Sequence, residues 1–105
     1  MSEPRWHRVG ATDDVVRDDV IGVTVGETAV AIIRTADDRI FAVDAVCTHG
    51  RAPLTEGFVD GTEIECPKHN GRFDIITGDA VASPARVALR TYPCRVDNGC
   101  IEVQL

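Results

Sequence analysis

The sequence predicts an all-β, antiparallel fold on two observations. Short β-branched and apolar stretches recur between turn signals, which is the rhythm of an all-β protein. Asn98-Gly99 stands between two such stretches, and Asn-Gly is the strongest short hairpin signal because both residues tolerate positive φ. Residues 20–25 form the first expected strand, ended by Gly26-Glu27. Residues 28–35 form the second, and Ala36-Asp37-Asp38 turns the chain into a third at residues 39–43. Near the C-terminus, residues 89–96 and 100–105 flank the Asp97-Asn98-Gly99 turn. Alternation there puts Val96, Ile101 and Val103 on an apolar face and Arg95 and Glu102 on the other. The acidic segment 13–19 is read as a solvated face.

Composition narrows the function classes. The 105 residues suit one domain, with 44% hydrophobic and 27% charged residues. Eleven Lys and Arg against 17 Asp and Glu give a formal net charge of −6. That balance argues against nucleic acid or an anionic membrane and favours a protein partner with a basic face. Three Phe, one Trp and one Tyr are too few for a platform that stacks single strands. The opening residues mix charges and read as neither a secretory signal nor a transit peptide. No apolar run approaches the roughly 18 residues of a membrane span. A cytoplasmic protein is expected, in which cysteines serve more often as ligands than as disulfides.

The stretch from about Val46 to Pro84 differs from the β blocks, being rich in Gly, Pro, Asp and Thr. It holds two Cys/His pairs, Cys47-Thr48-His49 and Cys66-Pro67-Lys68-His69. Each is followed by a flexible element, Gly50 in one case and Asn70-Gly71 in the other. Two loops of this kind can wrap a metal site from opposite sides. Two thiolates and two imidazoles suit tetrahedral zinc or an iron–sulfur centre. Structural zinc favours loops that carry like ligands, whereas here each loop supplies one Cys and one His. The mixed pairs suit a two-iron cluster, with the cysteines on one iron and the histidines on the other.

The boxes Cys47-Thr48-His49-Gly50 and Cys66-Pro67-Lys68-His69-Asn70-Gly71-Arg72-Phe73-Asp74 resemble the two signature boxes of Rieske proteins. Across nearly the whole chain the resemblance is to the small Rieske-type ferredoxins of bacterial aromatic-ring-hydroxylating dioxygenases. Leu54-Thr55-Glu56-Gly57, Asp60-Gly61, Ile64-Glu65, Thr77-Gly78 and Thr91-Tyr92-Pro93 support it. The resemblance implies a Rieske fold, an antiparallel β-sandwich base formed by residues 1–43 and 85–105 with a cluster-binding subdomain of about residues 44–84 inserted in it. It also implies one [2Fe–2S] cluster held by Cys47, His49, Cys66 and His69, and a proline loop at Pro84 that covers it. The function implied is electron carriage, without catalysis, from a flavin-dependent ferredoxin reductase to a terminal oxygenase, and a monomer is expected.

Departures from the high-potential Rieske proteins sharpen that expectation. Their extra cysteine pair is replaced here by Ala52 and Lys68, so the corresponding disulfide cannot form. Their Ser and Tyr hydroxyls, which bond to sulfur, are replaced by Gly71 and Phe73. Without those bonds the potential should lie near the low end of the Rieske range, roughly −150 mV. Asn70 stands where Gly is usual. A similar Asn in small subunits of assimilatory nitrite reductases makes such a subunit the alternative redox reading.

A structural zinc-binding interaction module is the alternative from another class. Cys94 is read as a small core residue and Cys100 as incidental, with no disulfide between them. His7 has no ligand partner in the sequence. Arg51 and Lys68 lie within the ligand loops, as docking contacts or simply as solubilising charges. A thiol nucleophile with a nearby His is the catalytic alternative, but it would leave one of the two pairs redundant.

Overall fold

A computed structural model describes residues 5–48, 52–68, 71–83 and 87–105. Among the described residues, eleven strands form three antiparallel sheets. The first joins β1 (Trp6–Ala11), β11 (Cys100–Gln104) and β10 (Cys94–Asp97) in that order. The second joins β2 (Asp19–Val25), β3 (Thr28–Arg34), β4 (Ile40–Asp44) and β9 (Thr91–Tyr92). The third, formed between β4 and β9 in the chain, joins β5 (Phe58–Asp60), β6 (Glu63–Glu65), β7 (Arg72–Asp74) and β8 (Ala80–Ala82).

Strand β3 explains how the layers stack. Its run Val30-Ala31-Ile32-Ile33 is buried throughout, as in a strand covered on both faces. Val30 and Ile32 enter a cluster with Val15, Ala42, Tyr92, Ile101 and Val103, between the first and second sheets. Ala31 and Ile33 enter the other cluster, with Val43, Leu54, Ile64, Phe73 and both Cys47 and Cys66. The middle sheet therefore carries the sandwich core on one face and the base of the cysteine-bearing sheet on the other.

Turns follow their local chemistry. Val25 pairs with Thr28 across Gly26-Glu27, and only Gly26 has positive φ (61°), the signature of a II′ turn. Asn98 (51°) and Gly99 (76°) are both left-handed in the β10–β11 hairpin, as a I′ turn requires. Asp38 (φ 65°) ends the β3–β4 turn, held by the guanidinium groups of Arg17 and Arg34.

Several expectations are corrected. Residues 89–96 do not form one strand: β9 pairs with β4, whereas β10 pairs with β11 in another sheet. Pro93, which has no N–H for a ladder, stands at the crossover. Val96 pairs with Ile101 but is 48% exposed, because β10 is an edge strand. The acidic segment is not wholly solvated, since Val15 is completely buried behind the 3-10 turn Thr12–Asp14. Strand β1 had no sequence signal; its pairing with β11, with a register shift between Arg8 and Gly10, creates it. Cys94 packs partly buried against the sandwich core, and neither it nor Cys100 forms a disulfide.

Candidate metal centre

The two cysteine-bearing loops are built alike. Beyond β4, Val46 bridges to Pro53, and the Cys47 N–H donates to the Ala52 carbonyl at 2.8 Å. Between β6 and β7, Glu65 pairs with Arg72, and the Cys66 N–H donates to the Gly71 carbonyl at 2.7 Å. Each loop is closed seven residues apart at its base, and each cysteine binds the carbonyl five residues on. Cys47 and Cys66 thus occupy equivalent places in two hairpins. Both are 1% exposed and share one apolar cluster with Ala52, Leu54, Ile64 and Phe73. The expected ligands His49 and His69, together with Arg51 and Pro84, lie outside the described residues.

Close backbone packing fixes both loops. A Cβ on Gly57 would stand 2.3 Å from the Glu65 carbonyl oxygen, so only glycine allows the turn after Leu54–Glu56 to press against β6 just before Cys66. The return segment is tied at three points. The Val87 carbonyl accepts the Thr48 hydroxyl at 2.6 Å, the Leu89 N–H donates to the Gly78 carbonyl at 2.7 Å, and the Arg90 carbonyl accepts the Asp44 N–H at 2.9 Å. Gly78 has φ 83°, and a Cβ there would meet the Leu89 carbonyl oxygen at 2.2 Å. The Asp74 carboxylate accepts the Ile76 and Thr77 N–H groups and shapes the turn that leads to Gly78.

Two further residues were not singled out as functional by the sequence. Tyr92 donates its hydroxyl to Asp44 Oδ1 at 2.5 Å, beside the entry to the first loop. Burial, then the Asp44 carboxylate, pushes its phenol up to about 12. Arg72, which follows Gly71, reaches Asp60, Glu63 and Glu65 with one guanidinium. Burial pushes the Cys94 thiol up to about 11, the mark of an inert core thiol.

The donor chemistry fits an iron–sulfur centre. Two thiols buried in an apolar cluster bear thiolate charge at low cost only when a cation shares the site. Gly71 and Phe73, both buried, bring no hydroxyl to the sulfurs, as their sequence implies. A family model described as Rieske [2Fe-2S] domain matches residues 5–93. The chain belongs to the Rieske [2Fe-2S] domain family. One Rieske cluster is the cofactor of this domain, and the zinc module considered from the ligand set alone is set aside.

Relatives of the Rieske domain narrow the comparison. It is 39% identical over 101 residues to the ferredoxin component of a naphthalene 1,2-dioxygenase system from Pseudomonas putida, covering 96% of each chain. It matches a ferredoxin of Sphingomonas yanoikuyae B1 with a TM-score of 0.89 and 36% identity, covering 96% of this chain and 99% of that one. It also matches a chain from a complex of reduced oxygenase and oxidised ferredoxin in carbazole 1,9a-dioxygenase. That match has a TM-score of 0.86 and 37% identity, covering 92% of this chain and 99% of the other. Among the described residues, no helix is long and apolar enough to cross a membrane.

Proposed function

We propose that this Rieske domain is the ferredoxin of an aromatic-ring-hydroxylating oxygenase system, an electron carrier between a flavin-dependent reductase and a terminal oxygenase. Cys47 and Cys66 hold the inner iron of the cluster, and His49 and His69 hold the outer one. The cluster, when bound, supplies a one-electron redox centre. The chain's own residues hold that centre in place and exclude water from its sulfur side. Leu54, Ile64 and Phe73 pack with both cysteines in one cluster, and a backbone hydrogen bond closes each cysteine loop on itself. Residues of about 44–84 are read as the cluster-binding part and the flanking segments as its base.

The observation that carries this reading is the matched placement of two buried cysteines in two hairpins, in a chain whose relatives are dioxygenase ferredoxins. The net charge of −6 suits transient docking on basic surfaces, with charge steering the encounter. The test is reconstitution. A ferredoxin-dependent reductase and a ring-hydroxylating oxygenase should turn over an aromatic substrate only when this protein is added. Turnover should cease with Cys66→Ser. Turnover that is equal with and without the protein would reject the reading. Support of a nitrite reductase catalytic subunit instead would reassign it to the alternative partner.

A further inference from the structure

The second cysteine hairpin rests on one guanidinium. Arg72 stands opposite Glu65 in the β6–β7 ladder, and this rung closes the loop that begins at Cys66 and returns at Gly71. From that position its Nε meets Glu63 Oε1 at 2.9 Å, its Nη2 meets Asp60 Oδ2 at 2.9 Å and its Nη1 lies 3.6 Å from Glu65 Oε1. Asp60 belongs to β5, Glu63 and Glu65 to β6, and Arg72 to β7. A single side chain therefore fastens three of the four strands beneath the loop. The planar fork makes this possible, because a lysine ammonium is a point charge that cannot present two fixed edges.

The same group sets the local charge. Three carboxylates gather around one cation, leaving a formal −2 directly below the second loop, and −3 if the guanidinium is removed. Uncompensated negative charge disfavours an added electron nearby. Ion pairs that still touch solvent, as these do, contribute little to global stability. Redox equilibrium and loop retention are therefore the properties that should report on Arg72.

We propose that Arg72 is a positioning residue of the cluster site, which fastens the Cys66 hairpin and offsets the negative charge beneath it. This rests on the reading that Cys66 ligates the cluster.

The experiment compares loaded wild-type protein with Arg72→Gln, Arg72→Lys and the triple variant Arg72→Gln/Glu63→Gln/Glu65→Gln. The reduction potential is read by protein-film voltammetry at low and high salt, and cluster loss is timed under a chelator. Arg72→Gln should lower the potential, seen as a several-fold fall in the reduced-to-oxidised ratio at a fixed poise. That shift should shrink in high salt. Arg72→Lys should keep most of the potential yet lose the cluster several-fold faster than wild type. The triple variant keeps only Asp60 of the four charges, a formal −1 against −2 in wild type, so its potential should return to the wild-type value or above it; it also serves if Arg72→Gln alone fails to load. A loaded Arg72→Gln with wild-type potential at low salt and wild-type cluster retention would overturn the proposal. Wild-type protein without iron and sulfide would instead overturn the cluster reading beneath it.

Discussion

A Cβ placed on Gly57 would lie 2.3 Å from the carbonyl oxygen of Glu65, the residue directly before Cys66. The Leu54 carbonyl oxygen, at 3.1 Å, blocks retreat on the other side. Both obstacles are backbone, so Gly57→Ala must displace β6 where the second cysteine loop begins. The expected loss is about 1–3 kcal/mol, the range of overpacking, with a reduced iron content. Gly61→Ala is the comparison, since its φ of 62° is left-handed but its Cβ would meet nothing within 4 Å. It should cost roughly 1–2 kcal/mol and leave the iron content unchanged. Urea unfolding and iron assay of both variants check this. Equal iron content in the two would contradict the argument.

Tyr92 is the chain's single tyrosine, so tyrosinate absorbance reads it alone. Its phenol is held protonated up to about 12, first by burial and then by the Asp44 carboxylate. An unfolded tyrosine ionises near 10. The folded-state value is raised, so this contribution is complete below about 10 and is lost as pH rises toward about 12. Stability should therefore fall with pH in that window, with Tyr92→Phe lacking this component. At neutral pH, Tyr92→Phe should lose about 1–3 kcal/mol with the hydrogen bond to a charged acceptor. A tyrosinate titration midpoint near 10 in folded protein would contradict it.

Asp38 gives the opposite dependence. Hydrogen bonds from Arg17 and then Arg34 hold its carboxyl down at about 2. A depressed carboxylate stabilises above its unfolded value, near 4, and that contribution is lost as pH falls toward about 2. Asp38→Asn, which tolerates the left-handed backbone, should remove this acid dependence while preserving the turn. The pair is exposed, so high salt should diminish the difference between the two proteins. Acid unfolding curves at two salt concentrations test this; identical curves in low salt would count against it.

The four cysteines should divide cleanly. Cys94→Ala removes a half-buried thiol from the sandwich core and should cost about 1 kcal/mol without loss of iron. Cys100→Ala should also keep full iron. Cys47→Ser and Cys66→Ser should each abolish cluster assembly, because a hydroxyl is a poor replacement for thiolate at iron. Iron and acid-labile sulfide assays of the four variants separate the pairs. Loss of cluster in Cys94→Ala would contradict the assignment.

What the sequence made legible had local causes. The run around Ile32 declared a strand because both faces are buried, and Asn98-Gly99 declared its turn through backbone chemistry. Cys47 and Cys66 stood out by their spacing to His49 and His69. Other features depend on partners distant in the chain. Residues on both sides of Pro93 favour extended backbone, so the change of sheet at that proline depends on pairing with β4 and β11. Strands such as Phe58–Asp60 are too short to show a period. The Thr48–Val87 bond joins residues 39 positions apart and leaves no trace in composition. Val15 was hidden by the acidic residues around it, because charge marks a segment as solvated even when one side chain turns inward.

On the proposed reading, Cys47 and Cys66, in matched hairpins, hold one iron of a Rieske cluster whose other iron is held by His49 and His69. Pulsed electron paramagnetic resonance of the reduced, purified protein tests it most directly, because ligand nitrogens couple to the cluster spin. A two-iron signal is expected, with nitrogen couplings from two imidazoles, both lost in the double variant His49→Ala/His69→Ala. A wild-type iron–sulfur signal without such couplings, or a colourless protein containing one zinc, would contradict it.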